Sequence, residues 1–95
     1  MSAYVVVQES VKDEATFAAY RKEVMPTIAA HSGRFIVRGG TMTVLEGEWA
    51  LPRLIILEFP SREAAEAWYR SPAYQKILPI RLKSCTGNLV IVDGA

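Results

Sequence analysis

The apolar residues of the chain follow two patterns. Short continuous runs indicate strands, and apolar residues spaced three or four positions apart indicate helices. Three runs are rich in β-branched and aliphatic side chains, which are typical of strands. They are Ala3 to Gln8, Arg53 to Phe59 and Asn88 to Asp93. A further strand is expected in two pieces, Phe35 to Val37 and Thr43 to Leu45, with a bulge or bend at the glycine pair between them.

Two other regions repeat their apolar residues every three or four positions, which is the spacing of one helical face. In the first region Asp13 or Glu14 opens a helix, and Pro26 is expected to kink or restart it. The second region is expected to form two helices, because Ser61 and then Ser71-Pro72 provide helix starts. The apolar face of the first helix consists of Phe17, Tyr20, Val24 and Ile28.

The resulting order is strand, helix, strand, strand, helix, strand, which predicts a ferredoxin-like α+β fold with a four-stranded antiparallel sheet. Helices cover only one face of such a sheet, yet both faces of the predicted strands are apolar. Val5 and Val7, for example, alternate with Tyr4 and Val6. A second copy would cover the other face, so we expect a homodimer in which two sheets close as an α+β barrel.

Length and composition narrow the class of protein. The 95 residues, 51% of them hydrophobic, predict a single domain over residues 1–95. The net charge is only +1 and no block of like charge occurs, so neither nucleic acid nor a membrane surface is an expected partner. The N-terminus has no basic secretory signal, and Cys85 is the only cysteine, so a cytoplasmic protein is expected. One histidine and one distant cysteine make no metal-ligand set, and no cofactor is expected.

The segment from Phe59 to Tyr74, together with His31 to Gly40 and Leu45-Glu46-Gly47, resembles a known family. Across essentially its whole length the chain is similar to the family of domains of unknown function numbered thirteen-thirty. That family belongs to the dimeric α+β barrel class, so the resemblance implies the same ferredoxin-like dimer. It implies no reaction, because the family has none assigned. Phe35 stands where tyrosine is common in the family, so no role for a phenolic hydroxyl is expected there.

Two residues are candidates for moving a proton. His31 is the only histidine, and an imidazole exchanges protons near neutral pH. Its place near the end of the first helix equally favours a capping role. Glu46 is the second candidate, with Glu58 as the alternative, since a carboxylate can act as a base or can orient arginines.

Arginines and aromatic residues are the candidates for binding a substrate. Arg34 and Arg38 share one strand face by the period of two, and guanidinium groups bind carboxylates with two hydrogen bonds. A salt-bridge network is the alternative. We expect a pocket between sheet and helices. Its expected lining is His31, Arg38, Glu46, Trp49, Trp68 and Arg81. The expected substrate-binding residues are Arg34, Arg38, Trp49, Trp68, Tyr74 and Arg81, although Trp68 and Tyr74 are equally suited to core packing.

Other dimeric α+β barrels include monooxygenases and isomerases, so the resemblance of fold implies one hypothesis, a cofactor-independent enzyme of such a kind. The arginines and the proton-moving candidates suggest that it would act on a small organic acid or an enolisable carbonyl compound. The alternatives are a non-catalytic small-molecule-binding or interaction module, and a stable dimer whose activity depends on other proteins. No complete catalytic constellation in the sequence decides between these alternatives.

Overall fold

The computed structural model describes residues 1–95 and has seven elements. The strands are β1 (Ala3–Val11), β2 (Arg34–Arg38), β3 (Arg53–Phe59) and β4 (Cys85–Asp93). The helices are α1 (Glu14–Ala29), α2 (Arg62–Arg70) and α3 (Pro72–Ser84). The strands form one antiparallel sheet in the order β2-β3-β1-β4, which confirms the expected ferredoxin-like α+β fold. None of the three helices has the length and apolar content that a membrane crossing requires.

Each helix begins at a side chain that accepts a hydrogen bond from the first turn. Asp13 Oδ1 accepts from Thr16 N at 3.1 Å, and Ser61 Oγ accepts from Ala64 N at 3.1 Å. Ser71 Oγ plays the same part at the start of α3. These oxygens satisfy N–H groups that have no partner within the helix. The expected division of the second helical region into two helices is therefore confirmed.

Two expectations about the elements were wrong. The restart expected at Pro26 does not occur, because α1 continues through this residue to Ala29. The proline is exposed and lies in the last turn, so the carbonyl that loses its helical partner lies close to solvent. Thr43 to Leu45 form no strand, because the chain leaves the sheet at Gly39, whose φ is 70°, and runs as an exposed loop until β3 begins.

The two faces of the sheet have different surroundings. Odd-numbered residues of β1 and β3, such as Val5 and Leu57, are buried under the helices. Even-numbered residues form the other face, which we call the open face. There Val6 pairs with Ile56 on one side and with Val90 on the other. The centre of the open face is therefore apolar, as the sequence predicts, and no helix of the same chain covers it.

A bulge in β2 changes which face its arginines occupy. Phe35 lies opposite Leu57, whereas Val37 lies opposite Ile56, so one extra residue is inserted between them. Such an insertion reverses the side of every later residue in the strand. Arg34 therefore lies on the open face and Arg38 on the helix-covered face. The expectation that both share one face was wrong for this reason.

Candidate active site

A cavity of about 50 Å³ lies between the helix-covered face of the sheet and α1. A single buried water needs roughly 10–15 Å³ of cavity volume. This cavity therefore has room for only a few heavy atoms. Most of its wall is apolar, and charged residues occupy the remainder. The principal apolar side chains are Val7, Phe17, Phe35, Ile55, Leu57 and Trp68.

Glu9 is the one carboxylate of the cavity. It lies on β1, opposite Arg53 of β3 and Gly87 of β4, and its side chain is buried. Its Oε2 accepts a hydrogen bond from Arg53 Nε at 3.1 Å. Its Oε1 lies 3.6 Å from Arg81 Nε, which is beyond hydrogen-bonding distance. One carboxylate is thus shared between two guanidinium groups.

Arg81 is the buried arginine of the site. It projects from α3 and only 5% of its surface is exposed. Its Nη2 is buried and has no hydrogen-bond partner. Gly87 makes room for this group, since a Cβ there would lie 2.8 Å from Nη2. Burial of an incompletely paired guanidinium opposes folding, so Arg81 is a costly residue unless something else engages it.

Two further arginines line the cavity nearer the surface. The Arg38 guanidinium lies over the ring of Phe35, 4.5 Å from its centroid, and has no carboxylate within 4 Å. Arg21 lies 3.6 Å from Glu14 on the outside of α1. The four arginines therefore have two carboxylate neighbours, Glu9 and Glu14. Two positive charges remain without a counter-charge, so the cavity is suited to an anion.

Two tyrosines form a completed polar pair next to this cluster. Tyr20 lines the cavity, and its hydroxyl lies 2.9 Å from that of Tyr74. Burial raises the pKa of both hydroxyls above the ordinary tyrosine value, so both stay neutral and one hydroxyl donates a hydrogen bond to the other. Trp68 packs on Tyr74 with ring centroids 4.3 Å apart and donates to Thr27 Oγ1 at 3.0 Å. Trp68 and Tyr74 are core residues, and Trp68 also forms part of the cavity wall.

The structure brings together only some of the residues expected at the pocket. Arg38, Trp68 and Arg81 line the cavity, and Tyr74 packs behind Trp68. The other four expected residues lie elsewhere in the molecule. They are His31, Arg34, Glu46 and Trp49.

These four residues have other surroundings. His31 Nδ1 lies 3.3 Å from the carbonyl of Thr27, so the imidazole caps the end of α1. Arg34 pairs with Glu58 on the open face. Glu46 and Trp49 belong to the exposed loop between β2 and β3, where they line a separate depression. Their inclusion in one pocket with Arg38 and Arg81 is therefore corrected, while their chemical roles stay predictions.

The sequence-based site omitted Glu9, Arg53 and Tyr20. A signal for Glu9 was present, because it continues the inward series Ala3, Val5 and Val7 of β1. A carboxylate at an inward strand position must be paired, which would have directed attention to a nearby arginine. No three side chains among histidine, cysteine, aspartate and glutamate lie close enough together to hold a metal ion.

Sequence comparison assigns the chain to a family. The model of a domain of unknown function, DUF1330, matches residues 2–95. No protein of curated function has a significantly similar sequence.

Solved structures share the fold. RPA0582, a protein of unknown function from Rhodopseudomonas palustris, matches with a TM-score of 0.79 at 17% identity, over 99% of this chain and 82% of the other. SnoaB, a cofactor-independent oxygenase from Streptomyces nogalater, has a TM-score of 0.65 at 12% identity, over 99% and 93%. A dimeric ferredoxin-like protein of unknown function from Jannaschia sp. CCS1 has a TM-score of 0.65 at 15% identity, over 99% and 100%. At such identities the likeness shows the fold alone.

Proposed function

The chain belongs to the DUF1330 family, and on this premise we propose that it is a cofactor-independent enzyme that binds a small organic acid or an enolisable carbonyl compound in the cavity under α1. Membership of a family of unknown function supplies no reaction. The proposal depends on one observation about Arg81. This arginine is buried, its Nη2 has no hydrogen-bond partner, and it shares the carboxylate of Glu9 with Arg53.

The cavity suits an anion with a short carbon skeleton. Guanidinium groups remain charged at any working pH and donate to carboxylate oxygens in a planar fork. In the low dielectric of a buried site, each such interaction is stronger than in water. Apolar walls such as Phe35 and Trp68 would hold the carbon atoms of the ligand.

The same groups support a reaction by enolisation. A base would remove the proton from the carbon beside the carbonyl, the electron pair of that C–H bond would form a carbon–carbon double bond, and the π electrons of the carbonyl would move onto its oxygen. Arg81 would stabilise the negative charge that develops there. Glu9 is the one carboxylate in the cavity, and its Oε1 is not hydrogen-bonded to Arg81. We therefore assign Glu9 as the base in this proposal. The likeness to SnoaB supports an enzyme role at the level of fold.

A non-catalytic binding module is the second candidate. The position of Glu9 favours it, because a carboxylate held between Arg53 and Arg81 also has the arrangement of a structural ion pair. In that case Glu9 would fix the arginines for binding and no proton would move.

Calorimetric titration with pyruvate, followed by NMR of its methyl hydrogens in deuterated water, distinguishes the two candidates. An enzyme accelerates the exchange of these hydrogens for deuterium, and Glu9→Gln should abolish the acceleration while folded protein still binds. Binding with no accelerated exchange would make the protein a binding module. Failure of every small acid and carbonyl compound in a broader panel to bind would contradict both candidates. Circular dichroism checks that the variant is folded.

The proposal includes a homodimer that closes over the open face. Val90 and Val92 are 56% and 46% exposed there, and such an apolar sheet face needs a cover. The ferredoxin-like protein from Jannaschia sp. CCS1 is dimeric, which supports a pair of chains. Light scattering should give twice the chain mass of 10.5 kDa. Val90→Asp should dissociate the dimer, because it places a charge in the interface. Lys76→Asp, at an exposed position on α3, should leave the dimer intact.

A monomeric wild-type protein at micromolar concentration would contradict the dimer and leave the cavity proposal unaffected. A cytoplasmic location stays a prediction.

A further inference from the structure

We infer that the cavity takes a small dicarboxylate in preference to a monocarboxylate. This inference rests on the proposed acid-binding role of the cavity and specifies the class of acid. It follows from which arginines have a counter-charge, from where the remaining arginines lie, and from the size of the cavity.

The charges around the cavity pair unequally. Arg53 forms a hydrogen-bonded pair with Glu9 at 3.1 Å. Arg21 lies 3.6 Å from Glu14 and Arg81 lies 3.6 Å from Glu9, so neither forms a hydrogen-bonded ion pair. The side chain of Arg21 is partly exposed to solvent, whereas Arg81 Nη2 is buried and has no partner. Arg38 has no carboxylate neighbour, so Arg81 and Arg38 are the two guanidinium groups with donors free for a ligand in the cavity.

Arg81 is the inner of these two groups. Its side chain is 6% exposed and is held between Glu9 and Gly87, with Nη2 unpartnered. A carboxylate in the cavity would give this buried guanidinium the hydrogen bonds that Glu9 does not provide. Because the group is buried, any ligand that engages it must enter the cavity and lose its own water.

Arg38 is the outer group. The bulge in β2 directs it to the helix-covered face, where its guanidinium stacks on the ring of Phe35. Stacking occupies the face of the guanidinium and leaves its N–H edge free for a planar carboxylate. Arg38 is exposed, so it lies where the cavity meets solvent. Arg81 and Arg38 thus lie at two depths of one cavity.

The size of the cavity sets the length of the acid between them. About 50 Å³ holds only a few carbon atoms. Most of the cavity wall is apolar, with Val7 and Ile55 among its side chains, and suits a short methylene chain. A dicarboxylate of about four carbons would place its inner carboxylate and methylene groups in the cavity, and its outer carboxylate beside Arg38, where the cavity meets solvent. A monocarboxylate would leave one of the two positive charges without a partner.

Calorimetric titration with succinate and butyrate tests the inference, because both have four carbons and differ in one carboxylate. At constant ionic strength and pH 7.5, we expect succinate to bind wild-type protein at least about tenfold more tightly than butyrate. Arg38→Gln should reduce the affinity for succinate to that for butyrate and should leave butyrate unchanged. Arg81→Gln should weaken both acids. Arg70→Gln, at an exposed position on α2, is the matched control and should change neither.

Equal binding of succinate and butyrate by the wild type would overturn the inference and leave the acid-binding role in place. An equal loss of succinate binding in the Arg38 and Arg70 variants would also overturn it, because the preference would then reflect overall charge. If neither acid nor any longer or shorter homologue binds, both the inference and the proposed function are wrong.

Discussion

The sheet has one charged cluster on each face, and the two clusters are built differently. On the open face, Arg34 donates two hydrogen bonds to Glu58 Oε1, at 2.9 and 2.6 Å, and Ser2 donates to the other oxygen at 3.0 Å. On the helix-covered face, Glu9 has a single hydrogen bond from Arg53, and Arg81 Nη2 has none. The exposed cluster is complete and the buried one is not.

This difference separates a structural ion pair from a candidate binding site. An exposed pair adds little to stability, and solvent tolerates any donor that it leaves free. A buried guanidinium with a free donor has no such compensation, so it should be rare where it serves structure alone. The incomplete cluster lies beside a cavity, where a ligand could complete it. Four substitutions test this contrast between the two clusters.

The largest effect is expected from Glu9→Gln. This substitution removes the only negative charge near Arg53 and Arg81, and Arg81 is buried. The free energy of unfolding should therefore fall by about 3 kcal/mol. Urea denaturation measures the change. Glu66→Gln, which removes the carboxylate of an exposed pair on α2, is the control and should stay close to wild type. A loss no larger than that of the control would mean that the covered cluster is not held by its charges.

Arg81→Met should have the opposite sign. Methionine keeps much of the apolar stem and removes the unpaired charge, so the free energy of unfolding should rise by about 1 kcal/mol while acid binding is lost. The same denaturation experiment, with calorimetry for binding, checks both parts. Destabilisation comparable to that of Glu9→Gln would show that Arg81 is a structural residue whose pairing with Glu9 supports the fold.

Tyr20→Phe tests the completed polar pair on the covered face. It should lower stability at neutral pH by about 1 kcal/mol, because Tyr74 loses its hydroxyl partner. Burial, followed by the neighbouring Tyr74, raises the pKa of Tyr20 in the folded state. Its contribution is therefore fully present below the unfolded value of about 10 and is lost as pH rises above it. Urea denaturation at about pH 8 and pH 11 should show a shallower alkaline loss in the variant. Equal losses would contradict the assignment.

Arg34→Ala should have the smallest effect, because we expect it to change only the pKa of Glu58. Hydrogen bonds from Arg34, and secondarily from Ser2, hold the pKa of Glu58 below its ordinary value. This contribution is present above the unfolded carboxyl value of 4.5 and is lost as pH falls through the lower folded value. The variant should raise the pKa of Glu58 towards the ordinary value, as measured by carbon-detected NMR titration. Acid binding should not change. An altered affinity would place Arg34 in the site.

The sequence predicted the fold well because its signals are local. Asp13, Ser61 and Ser71 begin helices by bonding to groups three residues away, and that chemistry is visible in the sequence. Alternating apolar residues in β1 and β3 likewise identified a sheet with two apolar faces. The extra strand piece at Thr43 to Leu45 was wrong because a short apolar run does not show whether a neighbouring strand is available to pair.

The site was less predictable because it depends on register and on packing between distant elements. A single inserted residue in β2 places Arg38 over the cavity and Arg34 on the other face, and the period of two cannot reveal that insertion. Glu9, Arg53 and Arg81 come from three elements and meet only through the strand pairing and the placement of α3. Arg81 was identified from the sequence as a candidate binding residue, whereas its incomplete pairing with Glu9 required the structure.

The most direct test of the account observes the arginines individually while an acid is added. NMR spectra of the arginine Nε–Hε groups, assigned by substitution, are recorded during titration with succinate. The account predicts that the signals of Arg38 and Arg81 shift and saturate together, while those of Arg34 and Arg70 stay fixed. Unchanged Arg81 signals at saturating succinate, or equal shifts at all four arginines, would contradict the claim that the incomplete cluster is a binding site.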